Sequence, residues 1–124
     1  MFRYQHLGVR EHDGVVVVSF GDQWIFDDAT VNAIRNELYT VANRPGCCRL
    51  LLNFAGVSYV SIELFRKLPK LQRMLASKGG EIRLCNVEPE ARGVFGESRL
   101  SQIIDVHETE ADALKTFDCV VEAA

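Results

Sequence analysis

The sequence predicts an α/β domain built on a mixed sheet of four or five strands with about four helices. Two observations lead to this prediction. Short apolar or β-branched runs alternate along the chain with longer segments of helical periodicity, and turn residues separate them. The chain has 124 residues, of which 48% are hydrophobic and 25% charged, and this suits one globular domain. We therefore expect a single domain over residues 1–124.

Two strands are predicted first, over residues 3–10 and 14–20. The second reads GVVVVSF, and because it is almost wholly apolar we expect it to be buried on both faces. Turn residues at 12–14 (His-Asp-Gly) indicate a hairpin between the two strands.

A first helix is predicted to start near Asp27 and Asp28, which are good N-cap residues, and to run to about residue 42. Apolar residues recur in it at helical spacing: Val31, Ile34, Leu38 and Val41. Trp24 and Phe26 precede this helix, and we expect them to pack in the core or to anchor the loop rather than to form a ligand cage.

A third strand is predicted over residues 49–54, followed by a loop over 55–59 and a second helix ended by Gly79 and Gly80. This helix has an apolar stripe: Leu64, Leu68, Leu71 and Leu75. Pro69 removes a backbone donor, so either the helix kinks there or a short first helix ends and a new one begins at Pro69. Basic residues beside the stripe form either a solvated face or a docking face for an acidic partner: Arg66, Lys67, Lys70, Arg73 and Lys78.

The remaining elements are a fourth strand over residues 81–87, a third helix over 88–96 that opens with proline, and a short apolar patch over 103–106. Thr109 and Asp112 have the spacing of a capping box and predict the start of the last helix.

The charge and composition of the chain argue against several classes of function. The net charge is -3, so the chain has no overall excess of Lys and Arg with which to bind nucleic acid or an anionic membrane. The sequence shows no export signal and no apolar run of about 20 residues, which favours a cytoplasmic protein.

Four cysteines without a metal-binding spacing are predicted to be buried free thiols: Cys47, Cys48, Cys85 and Cys119. We expect no metal and no cofactor.

Six segments between residues 49 and 114 occur in an order typical of one family. They read LLLNFAGVSYV, SIEL, FRKLPKLQRMLASKGG, EIRLCNVEPEARGVF, GESRLSQIID and TEADAL. This order resembles the STAS domain of bacterial anti-sigma-factor antagonists and sulphate-transporter tails. The resemblance implies a regulatory module that binds a protein and is not an enzyme. The sequence itself points the same way, because it contains no recognisable combination of a nucleophile, a base and an orienting group.

The resemblance also implies the binding surface, which combines the loop before the first helix with the start of the second helix. The residues that it assigns to partner binding are Asp22, Asp27, Asp28, Asn53, Tyr59, Ser61, Ile62, Glu63, Leu64 and Arg66. The implied partner is an ATP-binding serine kinase that also acts as an anti-sigma factor. The mechanism would be competition with the sigma factor for this kinase.

The chain departs from the family where the family carries Asp-Ser-Ser-Gly. The four matching positions are Ser61-Ile62-Glu63-Leu64, so the resemblance puts Ile62, which cannot accept a phosphate, at the phosphoacceptor position. The acid that ends the preceding strand in the family is Asn53 here.

Alternatives stay open for two of these residues. Ser61 is read as an N-cap, as a phosphoacceptor displaced by one position, or as a loop residue without a special role. Glu63 is read as an acid favoured by the helix dipole, or as a permanent charge that mimics the phosphorylated state.

Two other functions are consistent with the sequence. One is a scaffold or oligomer subunit, including a homodimer, and the other is a sensor of a nucleotide or lipid at the carboxyl ends of the strands.

Overall fold

The computed structural model describes residues 4–122, and its centre is a five-stranded sheet with the strand order β1-β2-β4-β6-β7. The strands are β1 (Leu7–His12), β2 (Val15–Phe20), β4 (Arg49–Asn53), β6 (Glu81–Cys85) and β7 (Asp105–His107). The first two strands are antiparallel, and every other neighbouring pair is parallel. The predicted mixed sheet is therefore confirmed.

Burial of both faces of β2 is confirmed, because alternate valines enter two separate apolar clusters. Val16 and Val18 belong to the larger cluster, whereas Val15 and Val17 belong to the smaller one. Three helices fill the outer layers: α1 (Asp28–Ala42) and α3 (Leu68–Ala76) cover the larger cluster, and α5 (Glu110–Glu122) covers the smaller one. A strand between two helical layers has to be apolar on both sides, and this accounts for its sequence.

The remaining elements are short: β3 (Trp24–Ile25), β5 (Tyr59–Val60), α2 (Ile62–Phe65), α4 (Pro89–Glu97) and a 3₁₀ turn (Leu100–Gln102). The strands β3 and β5 form a separate two-stranded parallel sheet. The four predicted helices are present, and the second of them is divided into α2 and α3.

The division between α2 and α3 decides between the two alternatives for Pro69. Proline is the second residue of α3, where its missing N–H costs no intrahelical hydrogen bond. The chain therefore ends one helix and starts another, and no kinked helix forms.

Predicted helix caps are confirmed at two places. The Asp27 carboxylate accepts a hydrogen bond from the Thr30 N–H at 3.0 Å. The Thr109 hydroxyl accepts one from the Asp112 N–H at 3.1 Å.

Several predicted boundaries and loops were wrong. Within the described residues β1 begins at Leu7 and extends through His12, so only Asp13 and Gly14 make the turn. The last residue of the predicted loop over 55–59 belongs to β5, and the end of the apolar patch over 103–106 overlaps β7. Strands of two or three residues are too short to show a period, and pairing with a distant partner creates them.

The cysteine prediction is confirmed in part. Cys47 and Cys85 are buried free thiols, and Cys48 is free but only partly buried, whereas the side chain of Cys119 lies outside the described residues. Burial raises the pKa of the Cys85 thiol to about 12, which keeps it protonated and unreactive.

Among the described residues, no group of three or more His, Cys, Asp or Glu side chains could hold a metal ion. Within residues 4–122 the helices are too short or too polar to cross a membrane.

Candidate functional site

The small sheet brings together the two segments that the sequence assigned to partner binding. Trp24 pairs with Tyr59 and Ile25 with Val60. The Ser61 N–H also donates to the Ile25 carbonyl oxygen at 2.6 Å. The loop before α1 and the start of α2 therefore form one surface.

The start of α2, which we call the α2 entry (Ser61, Ile62 and Glu63), is an N-capped helix terminus. The Ser61 hydroxyl accepts a hydrogen bond from the Glu63 N–H at 3.2 Å, which confirms the N-cap interpretation of this serine. The Glu63 carboxylate receives a hydrogen bond from Arg66 at 2.8 Å, one turn along the chain. All three residues of the α2 entry are half-buried.

Leu64 was assigned to the same surface, but its side chain is fully buried. It belongs to the larger cluster together with Phe65 and Leu68, because the apolar stripe of this segment faces the sheet. A partner at this surface can therefore not touch the Leu64 side chain without unfolding α2.

Three aromatic side chains, which we call the aromatic patch (Trp24, Phe26 and Tyr59), are exposed beside the α2 entry. Their exposed fractions are 58%, 61% and 43%. Of the two roles expected for Trp24 and Phe26, packing in the core was wrong, because both side chains are exposed. Side chains alternate along an extended chain, so Ile25 between them is the buried residue. The alternation Trp-Ile-Phe is the signal in the sequence that could have revealed this surface.

Three predicted aspartates lie between the end of β2 and the first turn of α1, each with a different environment. Asp22 contacts the His6 Nδ1 at 2.6 Å. Asp27 caps α1, and hydrogen bonds from the side chain and backbone of Thr30 lower the pKa of its carboxyl. Asp28 is exposed in the first turn of α1.

Asn53 lies at the carboxyl end of β4 and takes part in an internal network. Its Oδ1 accepts hydrogen bonds from the Ala55 N–H at 2.9 Å and from the Asn86 side chain at 3.1 Å. Its Nδ2 donates to the Glu110 carboxylate at 2.9 Å, and Arg10 donates to the same oxygen. The hydrogen bond from Arg10 is the main reason why the pKa of Glu110 is lowered. In this structure Asn53 thus connects β4 to α5, an attachment that the sequence did not indicate.

The basic residues beside the leucine stripe lie on the outside of α2 and α3. Arg66, Lys70 and Arg73 are exposed. The Lys70 ammonium also lies 5.3 Å from the centre of the Tyr39 ring. This arrangement is that of a solvated helix face, and it leaves the docking alternative untested.

A shallow depression of about 320 Å³ lies at the end of α1 and is lined by Thr40, Asn43, Arg44 and Pro45. These residues precede the amino end of β4. Open α/β sheets bind ligands beyond the carboxyl ends of their strands, so this depression gives no support to the sensor hypothesis.

Comparison with known proteins is consistent with this geometry. Residues 6–113 match the sequence model of the STAS domain. An anti-sigma F factor antagonist from Paenibacillus polymyxa is 21% identical over 112 residues, which cover 90% of this chain and 94% of that protein.

Two solved structures have the same fold. An anti-sigma-factor antagonist (STAS) domain protein from Planctomyces limnophilus superposes with a TM-score of 0.76 at 18% identity, covering 89% of this chain and 96% of that one. The anti-sigma factor antagonist SpoIIAA in its unphosphorylated form superposes with a TM-score of 0.74 at 21% identity, covering 90% and 96%.

Proposed function

The chain belongs to the STAS domain family, and from this premise we propose that residues 1–124 form one non-catalytic, protein-binding regulatory domain similar to an anti-sigma factor antagonist. Its partner is an ATP-binding kinase that also serves as an anti-sigma factor. The domain competes with the sigma factor for this kinase. The partner contacts the α2 entry and the neighbouring loop before α1.

One observation supports this placement above the others. The pairing of β3 with β5 joins two distant segments into one exposed surface next to a helix N-terminus. This surface combines exposed aromatic side chains with polar and acidic ones, and protein interfaces likewise combine an apolar core with a polar rim.

We further propose that phosphate does not switch this domain at the position implied by the resemblance. Ile62 has no hydroxyl group, and the nearest hydroxyl in the sequence, that of Ser61, lies one position earlier and caps α2. Glu63 supplies a fixed negative charge in the first turn of α2, where the helix dipole favours it. The charge of the α2 entry is therefore fixed, and phosphorylation does not change the affinity of the domain for its partner there.

The first test is a calorimetric titration of purified ATP-binding anti-sigma factors from the source organism. We expect one of them to bind the wild type and to bind Ile62→Asp about tenfold more weakly or worse, because the new carboxylate would be desolvated beside Glu63. Ile62→Val is the matched control and should bind as the wild type does. Equal affinity for Ile62→Asp, or no binding by any of these kinases, would contradict the proposal.

The second test asks about phosphate directly. The same kinase is incubated with ATP and each protein, and the intact mass is measured. We expect no phosphate on the wild type or on Ser61→Ala, and phosphate on Ile62→Ser or Glu63→Ser, which restore a hydroxyl at the α2 entry. Phosphate on Ser61 of the wild type would overturn the proposal of a fixed charge and favour a displaced acceptor.

A further inference from the structure

The three side chains of the aromatic patch lie on one face of the small sheet. Trp24 and Tyr59 are directly opposite each other on neighbouring strands, about 5 Å apart along the hydrogen-bonding direction. Phe26 is two residues beyond Trp24 and so lies on the same side of the chain. The centres of the Phe26 and Tyr59 rings are 6.4 Å apart in an edge-to-face arrangement.

The exposure of this patch is costly in water. The exposed large hydrophobic side chains among the described residues are Trp24, Phe26, Tyr59 and Ile103, so three of the four are in this one place. A contiguous apolar patch with polar surroundings is typical of a protein contact surface, and tryptophan and tyrosine are the side chains most enriched among binding hot spots.

Acidic residues lie close to the patch along the chain, on the two segments that carry it: Asp22, Asp27, Asp28 and Glu63. Two of them have cationic or titratable neighbours, since Asp22 contacts His6 and Glu63 contacts Arg66. Among the ion pairs of residues 4–122, none involves Asp27 or Asp28. Residues 22–28 contain three acids and no Lys or Arg, and residues 58–66 contain one Glu and one Arg, so the two segments that carry the patch have a net negative charge.

We propose that Trp24 and Phe26 are the anchors of the partner interface, and that they enter an apolar recess rimmed by Lys and Arg on another protein. The inference deepens the proposed function, on which it rests for the location of the interface. A basic rim complements the negative charge of the two segments and speeds encounter. This negative charge disfavours an anionic membrane or a nucleic acid. It also disfavours a second copy of this chain, because two copies of the same negatively charged segments would repel each other.

The test selects binders from a phage-displayed library of random peptides that lack tryptophan. The wild-type protein is the target, and the double variant Trp24→Gln/Phe26→Gln is used for counter-selection. We expect the enriched peptides to combine large apolar residues with Lys or Arg. Their affinity should fall about tenfold or more in the double variant, as it does at hot spots. Ile103→Gln, which replaces an equally exposed apolar residue outside the patch, is the matched control and should bind as the wild type does.

A spectroscopic readout reports on the anchor itself. Trp24 is the only tryptophan in the chain, so its fluorescence should shift to the blue when a selected peptide covers it. Asp28→Asn should weaken binding about two- to fivefold at low salt, and added salt should remove most of this difference. Circular dichroism of each variant checks that the fold is kept.

Three results would overturn the inference: no peptides enriched over the double variant, enrichment of acid-rich peptides, or a dimer in sedimentation equilibrium that the same two substitutions dissociate. The kinase titration separates this inference from the proposed function. If peptides that combine apolar with basic residues bind the patch but no anti-sigma factor does, the proposed partner is wrong, whereas the assignment of the patch as a binding surface is supported. If an anti-sigma factor binds the double variant as tightly as the wild type, Trp24 and Phe26 are not anchors of the interface, whereas the proposed function is supported.

Discussion

Three consecutive residues at the α2 entry have three different roles. The hydroxyl of Ser61 satisfies a free N–H at the start of the helix. Ile62 follows as a half-buried apolar residue, and Glu63 combines a favourable position in the helix dipole with an ion pair to Arg66. The start of α2 therefore depends on an acceptor oxygen at position 61.

We expect Ser61→Ala to lower the free energy of unfolding by about 1 kcal/mol, since the cap is lost and no compensating acceptor appears. Ser61→Asp should keep most of the stability, because a carboxylate also caps a helix. Urea denaturation of the three proteins measures the difference. An equal loss in both variants would mean that capping is not what Ser61 contributes.

At the scale of secondary-structure elements, the first turn of α5 is attached to the sheet through Glu110. Its carboxylate receives hydrogen bonds from Arg10 on β1 and from Asn53 on β4. Arg10, followed by the smaller contribution of Asn53, lowers the pKa of Glu110 below its ordinary value of 4.5. A carboxyl group with a lowered pKa in the folded state stabilises the protein above its unfolded pKa and loses that effect as the pH falls through the folded pKa.

We therefore expect Glu110→Gln to destabilise the protein at neutral pH and to have a shrinking effect as the pH falls below about 4.5, the ordinary pKa of the group. Denaturant unfolding of both proteins as a function of pH measures this difference. In an Arg10→Gln background most of the pH dependence should disappear, because the main partner of Glu110 is gone. A difference that stays constant with pH would show that the ion pair does not stabilise α5.

At the scale of the whole molecule, a row of phenylalanines connects the candidate site to the core. The ring centres are 4.5 Å apart between Phe20 and Phe54, 6.0 Å between Phe54 and Phe65, and 5.3 Å between Phe65 and Phe95. Phe20 ends β2 and Phe54 directly follows β4, whereas the other two lie in α2 and α4. The four-residue helix α2 is far too short to be stable alone, so this packing holds the α2 entry in place.

We expect Phe65→Ala to lower the free energy of unfolding by about 3–5 kcal/mol, because it leaves a cavity under α2. Phe26→Ala is the matched control. It removes the same side chain from an exposed position, so its effect on stability should be small. Thermal and denaturant unfolding measure both. Equal losses would mean that Phe65 is not part of the core.

Local patterns in the sequence were sufficient for the main framework. The run of valines in β2 predicted burial on two faces. The apolar residues that recur every three or four positions in α1 predicted which side of this helix faces the core. The cap at Asp27 was predicted from its residue type, and the cap at Thr109 from its spacing of three residues to Asp112. The family resemblance rests on the same kind of evidence, and the match over residues 6–113 confirms it.

The construction of the candidate surface becomes visible only in the three-dimensional fold. The strands β3 and β5 contain two residues each, so their pairing depends on hydrogen bonds to a distant segment, and its one local sign is the short alternation Trp-Ile-Phe. The exposure of Trp24 and the attachment of Asn53 to Glu110 follow from that arrangement. Periodicity, capping and proline chemistry act between neighbours in the chain and can be read from the sequence. Which distant segments meet depends on the packing of the whole core, and no short stretch of sequence contains that information.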